Sequence, residues 1–433
     1  MAIEEVRKEI RFGQKMSDWQ GRINMPEFRE ERFKKAQAAL KQNGVAALLA
    51  AGSENKRYVS SCIAATHTGS GDSFAVIFAE GSMRDNCIVY EESECWRQDH
   101  EHVDWIKPEN HRYTPVMWQR ATGLDWLRDH AKDVANHIYQ DLKDRKLEKE
   151  KLGVDNYLPF LKDALEEKGV KLVDAWEIMM NCRIIKTENE IECMKMAGAI
   201  ADVAWAEIIE ALRPGKTEEE IAAVGQSALR RLGSKDGRCT IRSGPNTAPN
   251  YLGRMPTDRI IQPGDLVFGD IVGGHFLGYR TCYYRTFKVG TKPTEQEKDW
   301  YKKCRDYLYN AVEVLRDGIT SADVAAKWPK AIDAYGFEDE ALASGNLLGH
   351  GQGLGQYEFP VITRQNSLKY PQPIKENMTI AMETWAGQND SEKGWRGGCR
   401  LENIWRITKN GHENLYAMPD TDIICPPHAI YVW

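Results

Sequence analysis

PGDLVFGDIVGGHFLGYRTCYYRTFKVG, residues 263–290, is the stretch on which the reading of the whole chain turns. Its apolar run from Leu266 to Val272 reads as a buried strand, yet it carries a carboxylate, Asp270, inside it. A carboxylate placed in an apolar strand is costly unless a cation or hydrogen-bond donors meet it. Three further stretches of the same half repeat the anomaly: GHGQGLGQYEFP (349–360) with His350, MTIAMETW (378–385) with Glu383, and CRLENIWRITKNG (399–411) with Glu402. A shared metal centre would answer all of them at once. Carboxylates with one imidazole suit a borderline divalent transition metal such as iron, manganese, cobalt or zinc.

Working outward, the first half of the chain alternates helix and strand signals. Phe28, Phe33, Ala36 and Leu40 share one helical face that stops at Asn43-Gly44, and the apolar run 45–51 after it reads as a buried strand. SFAVIFA (73–79) and NCIVYE (86–91) read as further strands, followed by a helix near 120–147 and short strands at KLGVD and VKLVDA. Thr187 with Glu190, and Thr217 with Glu220, are spaced as capping boxes that start two helices. The reading is therefore α/β (α+β), with domains at 1–183 and 184–433. The polar, aromatic segment 91–120 is expected to be a long loop reaching toward a site or a partner subunit; it carries Trp96, Trp105, Trp118, His100 and His102.

Composition narrows the function classes. With 58 basic and 64 acidic residues the net charge is −6, and no basic block could neutralise a run of phosphates, so a nucleic-acid partner is not expected. The longest apolar stretch, Val45 to Ala51, falls far short of the roughly 18–20 residues of a membrane span. The first residues show no apolar signal region, which makes the cytoplasm the expected compartment. Ten cysteines without a C-x-x-C pair suit reduced thiols.

Taken together, in order and spacing, these four stretches resemble the pita-bread superfamily of creatinase, proline-specific peptidases and methionine aminopeptidases. The resemblance implies a creatinase- or prolidase-like N-terminal α/β domain, a C-terminal pita-bread catalytic domain and a homodimer. It also implies that Asp270, His350, Glu383 and Glu402 bind one or two metal ions, with Glu402 bridging. Three departures from the family pattern stand out. Cys282 occupies the position of a second hairpin aspartate, and a thiolate there could ligate a borderline metal. Asn250 and Tyr357 stand where the peptidases have histidines, although Tyr357 could polarise an oxyanion and Asn250 could orient a carbonyl. The hairpin is one residue longer than in the peptidases, which is similar to the dimethylsulfoniopropionate lyases of the superfamily, but Val272, Cys282 and Gln356 replace acidic residues of those lyases.

The pattern as a whole leans toward the non-peptidase members. The first expectation is a metal-dependent hydrolase acting on a carbon–nitrogen bond of a small amide, urea or guanidino compound. Glu383 or Glu358 would move the proton, Asn250 and Tyr357 would assist, and His275 and Arg400 would contact substrate. A carbon–sulfur lyase is the alternative, with Trp96 and Trp105 forming an aromatic cage for a sulfonium group. An Xaa-Pro peptidase and a catalytically silent binding protein complete the set.

Overall fold

The computed structural model describes residues 23–62, 73–92, 103–114, 122–156, 159–248, 255–335, 338–340, 347–388 and 397–427. Two compact units divide the chain, Met1–Arg183 and Ile184–Trp433.

In the first unit, helix α1 (Met25–Gln42) buries Phe28, Phe33, Ala36 and Leu40, and the Asn24 side chain caps it by accepting from the Glu27 N–H. The chain then reverses at Gly44, whose φ of +62° is a conformation glycine adopts without strain. Next come β1 (Ala47–Ala50), β2 (Phe74–Phe78), β3 (Cys87–Glu92), β4 (His111–Thr114), α2 (Leu124–Asp144), β5 (Lys151–Val154) and β6 (Lys171–Asp174). They form a six-stranded mixed sheet of order β4-β3-β2-β1-β5-β6. β1 and β2 are buried at every position, which is why their sequences are unbroken apolar runs rather than alternating ones. α2 packs Ala131, Val134, Ala135, Ile138 and Leu142 into the same core.

Part of the segment expected to be a loop is in fact a strand. β4 runs parallel beside β3, and its outward positions, His111 to Tyr113, are half-buried and polar, so no apolar run announces it. The Arg112 guanidinium locks it to α2 through a two-pronged ion pair with Asp141, at 2.6 and 2.7 Å.

The second unit opens with α3 (Glu188–Ala211) and α4 (Glu218–Arg231), each started by the capping box read from the sequence. Strands β7 (Arg238–Ser243), β8 (Leu266–Val272) and β11 (Tyr284–Lys288) form an antiparallel sheet of order β11-β8-β7. Between β8 and β11 the two-residue strands β9 (His275–Phe276) and β10 (Tyr279–Arg280) make a small hairpin. After α5 (Glu295–Val312) a second antiparallel sheet runs in the order β13-β12-β14-β15-β16, from β12 (Gly349–Gly351), β13 (Glu358–Ile362), β14 (Thr379–Gln388), β15 (Gly397–Thr408) and β16 (Gly411–Asn414). α5 sets Trp300, Cys304 and Leu308 against Met382, Leu401 and Trp405 of that sheet.

Two residues of β11 join the two sheets. Arg285 donates to the Glu402 carbonyl and the Asn403 side chain, both at 2.8 Å, and the Thr286 hydroxyl donates to the Arg400 carbonyl at 2.8 Å. These bonds fix β11 against β15. They hold Cys282 and Asp270 facing the carboxylates of the second sheet.

Candidate metal centre

Strand register brings the side chains together. On β8, Asp270 lies opposite Tyr284 of β11 and Thr240 of β7, so the three share one face of the sheet. Glu383 and Glu402 lie directly opposite each other on β14 and β15, which points both carboxylates the same way. His350 sits on β12 between β13 and β14. The strand is squeezed there: a Cβ on Gly349 would come within 2.7 Å of the Ala381 carbonyl, and one on Gly351 within 2.3 Å of the Phe359 carbonyl. The glycines either side of His350 thus answer a packing demand.

The arrangement places the His350 Nε2 atom 3.9 Å from Glu402 Oε1 and 4.0 Å from Glu383 Oε1. One ligand atom each from Cys282, His350 and Glu402 lies within 4.8 Å of the others, and all three residues are buried. The His350 Nδ1 atom is 2.9 Å from the Gly351 carbonyl. A carbonyl only accepts, so Nδ1 carries the proton and Nε2 presents its lone pair to the carboxylates. Burial pulls the imidazole pKa down to about 4, which keeps that lone pair free at neutral pH. Nε2 and both oxygens of Glu402 lack hydrogen-bond donors among the described residues, apart from the Cys282 thiol beside Glu402. Burial, with Glu383 and Asp270 adding like charge, pushes the Glu402 carboxyl well above its ordinary range. Burial together with Glu402, Asp270 and Glu383 does the same to the Cys282 thiol. A lone pair, a carboxylate without donors and a thiol in one apolar shell fit a borderline divalent metal, which would satisfy all three.

Asp270 is placed differently. Burial pushes its carboxyl up to about 7, against the Tyr283 N–H, the Arg238 and Arg400 charges and the Tyr284 hydroxyl, which all favour the ionised form. The Tyr283 N–H donates to Oδ1 at 3.3 Å. Tyr284 was not singled out by sequence reasoning. The signal that could have found it was its position two residues past Cys282, on the same face of an extended segment.

The other expected site residues divide. Tyr357 is 49% exposed, with its ring centroid 4.7 Å from that of His350, so its hydroxyl-bearing ring borders the centre. Arg400 shares the strand face of Glu402, but its guanidinium is buried over the Phe268 ring at 4.7 Å, which makes it a neighbour of the centre rather than an exposed substrate clamp. Glu358 is corrected from proton carrier to anchor: its Oε2 is 2.7 Å from the buried Lys186 ammonium, and its Oε1 accepts from the Gly355 N–H. His275 is corrected from substrate contact to turn support, because Nε2 accepts from the Lys235 and Asp236 N–H groups, both at 3.2 Å, and the ring is 3% exposed. Trp105, expected in a substrate cage, is held within the first unit: its N–H donates to the Ser60 carbonyl at 2.8 Å and the Arg29 guanidinium covers its ring at 3.6 Å. Asn250, Trp96, Trp118, His100 and His102 lie outside the described residues. Among the described residues every cysteine is a free thiol.

Comparison with known proteins shows what the chain is similar to. The model of metallopeptidase family M24 matches residues 192–409, a span that contains all five candidate ligands. The Xaa-Pro dipeptidase of Pyrococcus furiosus is 30% identical over 287 residues, covering 65% of this chain and 76% of that protein. The creatinase of a Bacillus species is 26% identical over 332 residues, covering 70% and 76%. Among solved structures, the X-Pro aminopeptidase of Thermotoga maritima superimposes with a TM-score of 0.70 at 21% identity, over 92% of this chain and 99% of that one, which speaks to the fold. Of these relatives the peptidase carries the higher identity, so the expected lean toward non-peptidase members is not confirmed. A matched family model over half of the sequence, and a relative at 30% identity matched over three quarters of its own length, establish that the chain belongs to metallopeptidase family M24, within the pita-bread superfamily that its four stretches resemble.

Proposed function

We propose that this chain hydrolyses the amide bond before proline in a short Xaa-Pro peptide, at a divalent-metal centre. The observation that carries the reading is the convergence of the His350 lone pair, the two opposed carboxylates Glu383 and Glu402, and Cys282 on one buried face. Relatives named Xaa-Pro dipeptidase support this substrate class over the small non-peptide amides first expected. The carbon–sulfur lyase reading finds no support among these relatives.

A divalent ion held by these residues would supply Lewis-acid polarisation of the scissile carbonyl and a lowered pKa for the attacking water. The Gly351 carbonyl fixes the His350 tautomer, so Nε2 stays a lone-pair donor through the reaction. Glu383, whose Oε1 is 4.0 Å from His350 Nε2, would take the water proton and return it to the leaving nitrogen. Tyr357, half-exposed with its ring beside His350, would donate from its hydroxyl to the developing oxyanion.

The test is proline release from a panel of Xaa-Pro dipeptides by the purified chain loaded in turn with manganese, cobalt or zinc. Metal-dependent release, abolished by Glu383→Gln, is the expected result. Tyr357 favours a second reading, because a phenol replaces an imidazole that would carry protons in a peptidase of this family. Amine release from creatine or small ureas, with none from Xaa-Pro dipeptides, would establish that second reading instead.

A further inference from the structure

The geometry points to a single-ion centre whose protein ligands are the Cys282 thiolate, His350 Nε2 and Glu402, with Asp270 outside the ligand set. This deepens the proposed function by specifying the metal centre on which it rests. Two independent observations carry it.

The first is which atoms converge. Among the described residues, only Cys282, His350 and Glu402 form a group with mutually close ligand atoms. Each comes from a different segment: the turn before β11, β12 and β15. Sulfur, nitrogen and oxygen donors in one buried pocket make a set that holds zinc or cobalt better than manganese. Three protein ligands also leave a coordination position open, as a catalytic centre needs. Glu383, 4.0 Å from His350, lies beside this set.

The second is how Asp270 is satisfied without an ion. Tyr284 lies opposite it in the ladder, on the same face of the sheet. The Tyr283 N–H donates to its Oδ1 at 3.3 Å, and the charges of Arg238 and Arg400 favour its ionised form. That amide donor and those two cationic charges give the carboxylate compensation within the chain. Glu402 has none of these apart from the Cys282 thiol and the more distant Arg285 charge. An ion held there would displace the Cys282 thiol proton to solvent and leave the thiolate as an anionic ligand.

Cobalt loading tests the inference without reference to catalysis. The full chain, stripped of metal and titrated with cobalt(II), is expected to bind one ion per chain and to show a thiolate-to-cobalt charge-transfer band in the near ultraviolet. Cys282→Ser should abolish the band and weaken cobalt binding at least ten-fold. Should that variant not fold, Asp270→Asn is the second arm, and it should leave both the stoichiometry and the band of the wild type in place. Two ions per chain, a folded cobalt-loaded wild type without the band, or loss of the ion in Asp270→Asn would each overturn it. Xaa-Pro hydrolysis by a two-ion, oxygen-ligated centre would sink the single-ion inference and leave the proposed function standing. A one-ion thiolate centre that cleaves no such dipeptide would do the reverse.

Discussion

Glu91 in the first unit and Glu402 in the second are both buried glutamates on strands, at 4% and 0% exposure. Their surroundings are opposite. Glu91 accepts from the Lys56 ammonium at 2.5 Å and from the Ser73 hydroxyl at 2.7 Å, and Lys56 is itself 1% exposed. Glu402 has an imidazole lone pair 3.9 Å away, a carboxylate across the ladder and a thiol. In a low-dielectric interior both charges need a counter-charge. The chain supplies it to Glu91, and the comparison indicates that Glu402 waits for one from outside. Glu358, paired with Lys186 at 2.7 Å, belongs with Glu91 although it lies in the second unit beside the candidate centre. Burial alone therefore does not separate a structural carboxylate from a ligand; the source of the compensating charge does.

Breaking the internal pair should have the largest effect. Glu91→Gln leaves the Lys56 ammonium buried without its counter-charge, and the first unit is expected to lose roughly 3–5 kcal/mol. Hydrogen exchange of the β2 and β3 amides would read that loss. A loss below about 1 kcal/mol would remove the contrast between the two sites. Supplying the external charge should come next in size. Zinc or cobalt at about 100 times its dissociation constant stabilises the protein that binds it by about 2.7 kcal/mol. Differential scanning calorimetry of wild type and Glu91→Gln, with and without metal, should show the same increment in both, because the counter-charge it supplies belongs to the second unit.

Much of this was open to reading in the chain, and for a physical reason. A carboxylate or imidazole inside an apolar strand pattern sets local sequence against global burial, and such conflicts concentrate at functional sites. Asp270, His350, Glu383 and Glu402 announced themselves that way, and the structure sets them around one buried face. The capping boxes at Thr187 and Thr217 were equally plain, since their chemistry is complete within four residues. What stayed hidden depends on partners remote in sequence. Glu358 looked like a free base because Lys186 is 172 residues away. His275 looked like a substrate contact because nothing in its own segment reveals the turn that occupies its ring. Tyr284 was missed because cross-strand register is set by the whole sheet rather than by the pattern of one strand. Strand β4 was hidden because half-buried polar positions carry no apolar signature.

The smallest expected effect is the one that separates the two glutamates in sign. In chelator, Glu402→Gln removes an ionisable carboxyl that the fold buries without a matching cation, so the variant should be as stable as wild type or more stable by about 1 kcal/mol near neutral pH. The pH dependence follows from the raised carboxyl pKa of Glu402. Below about 4.3, the ordinary glutamate value, both folded and unfolded chains carry the proton, and Gln and Glu should differ little. As pH rises above that, the unfolded chain ionises while the folded one retains its proton, so wild-type stability from this group falls until the folded pKa is passed. Gln cannot ionise and escapes the loss, so its advantage should open between about pH 4.5 and neutrality and never reverse. Denaturation of both proteins in chelator at several pH values would read the difference. A Glu402→Gln variant that is less stable than wild type throughout would mean that the chain itself compensates Glu402 as it does Glu91, and the case for an external ion at that carboxylate would fall.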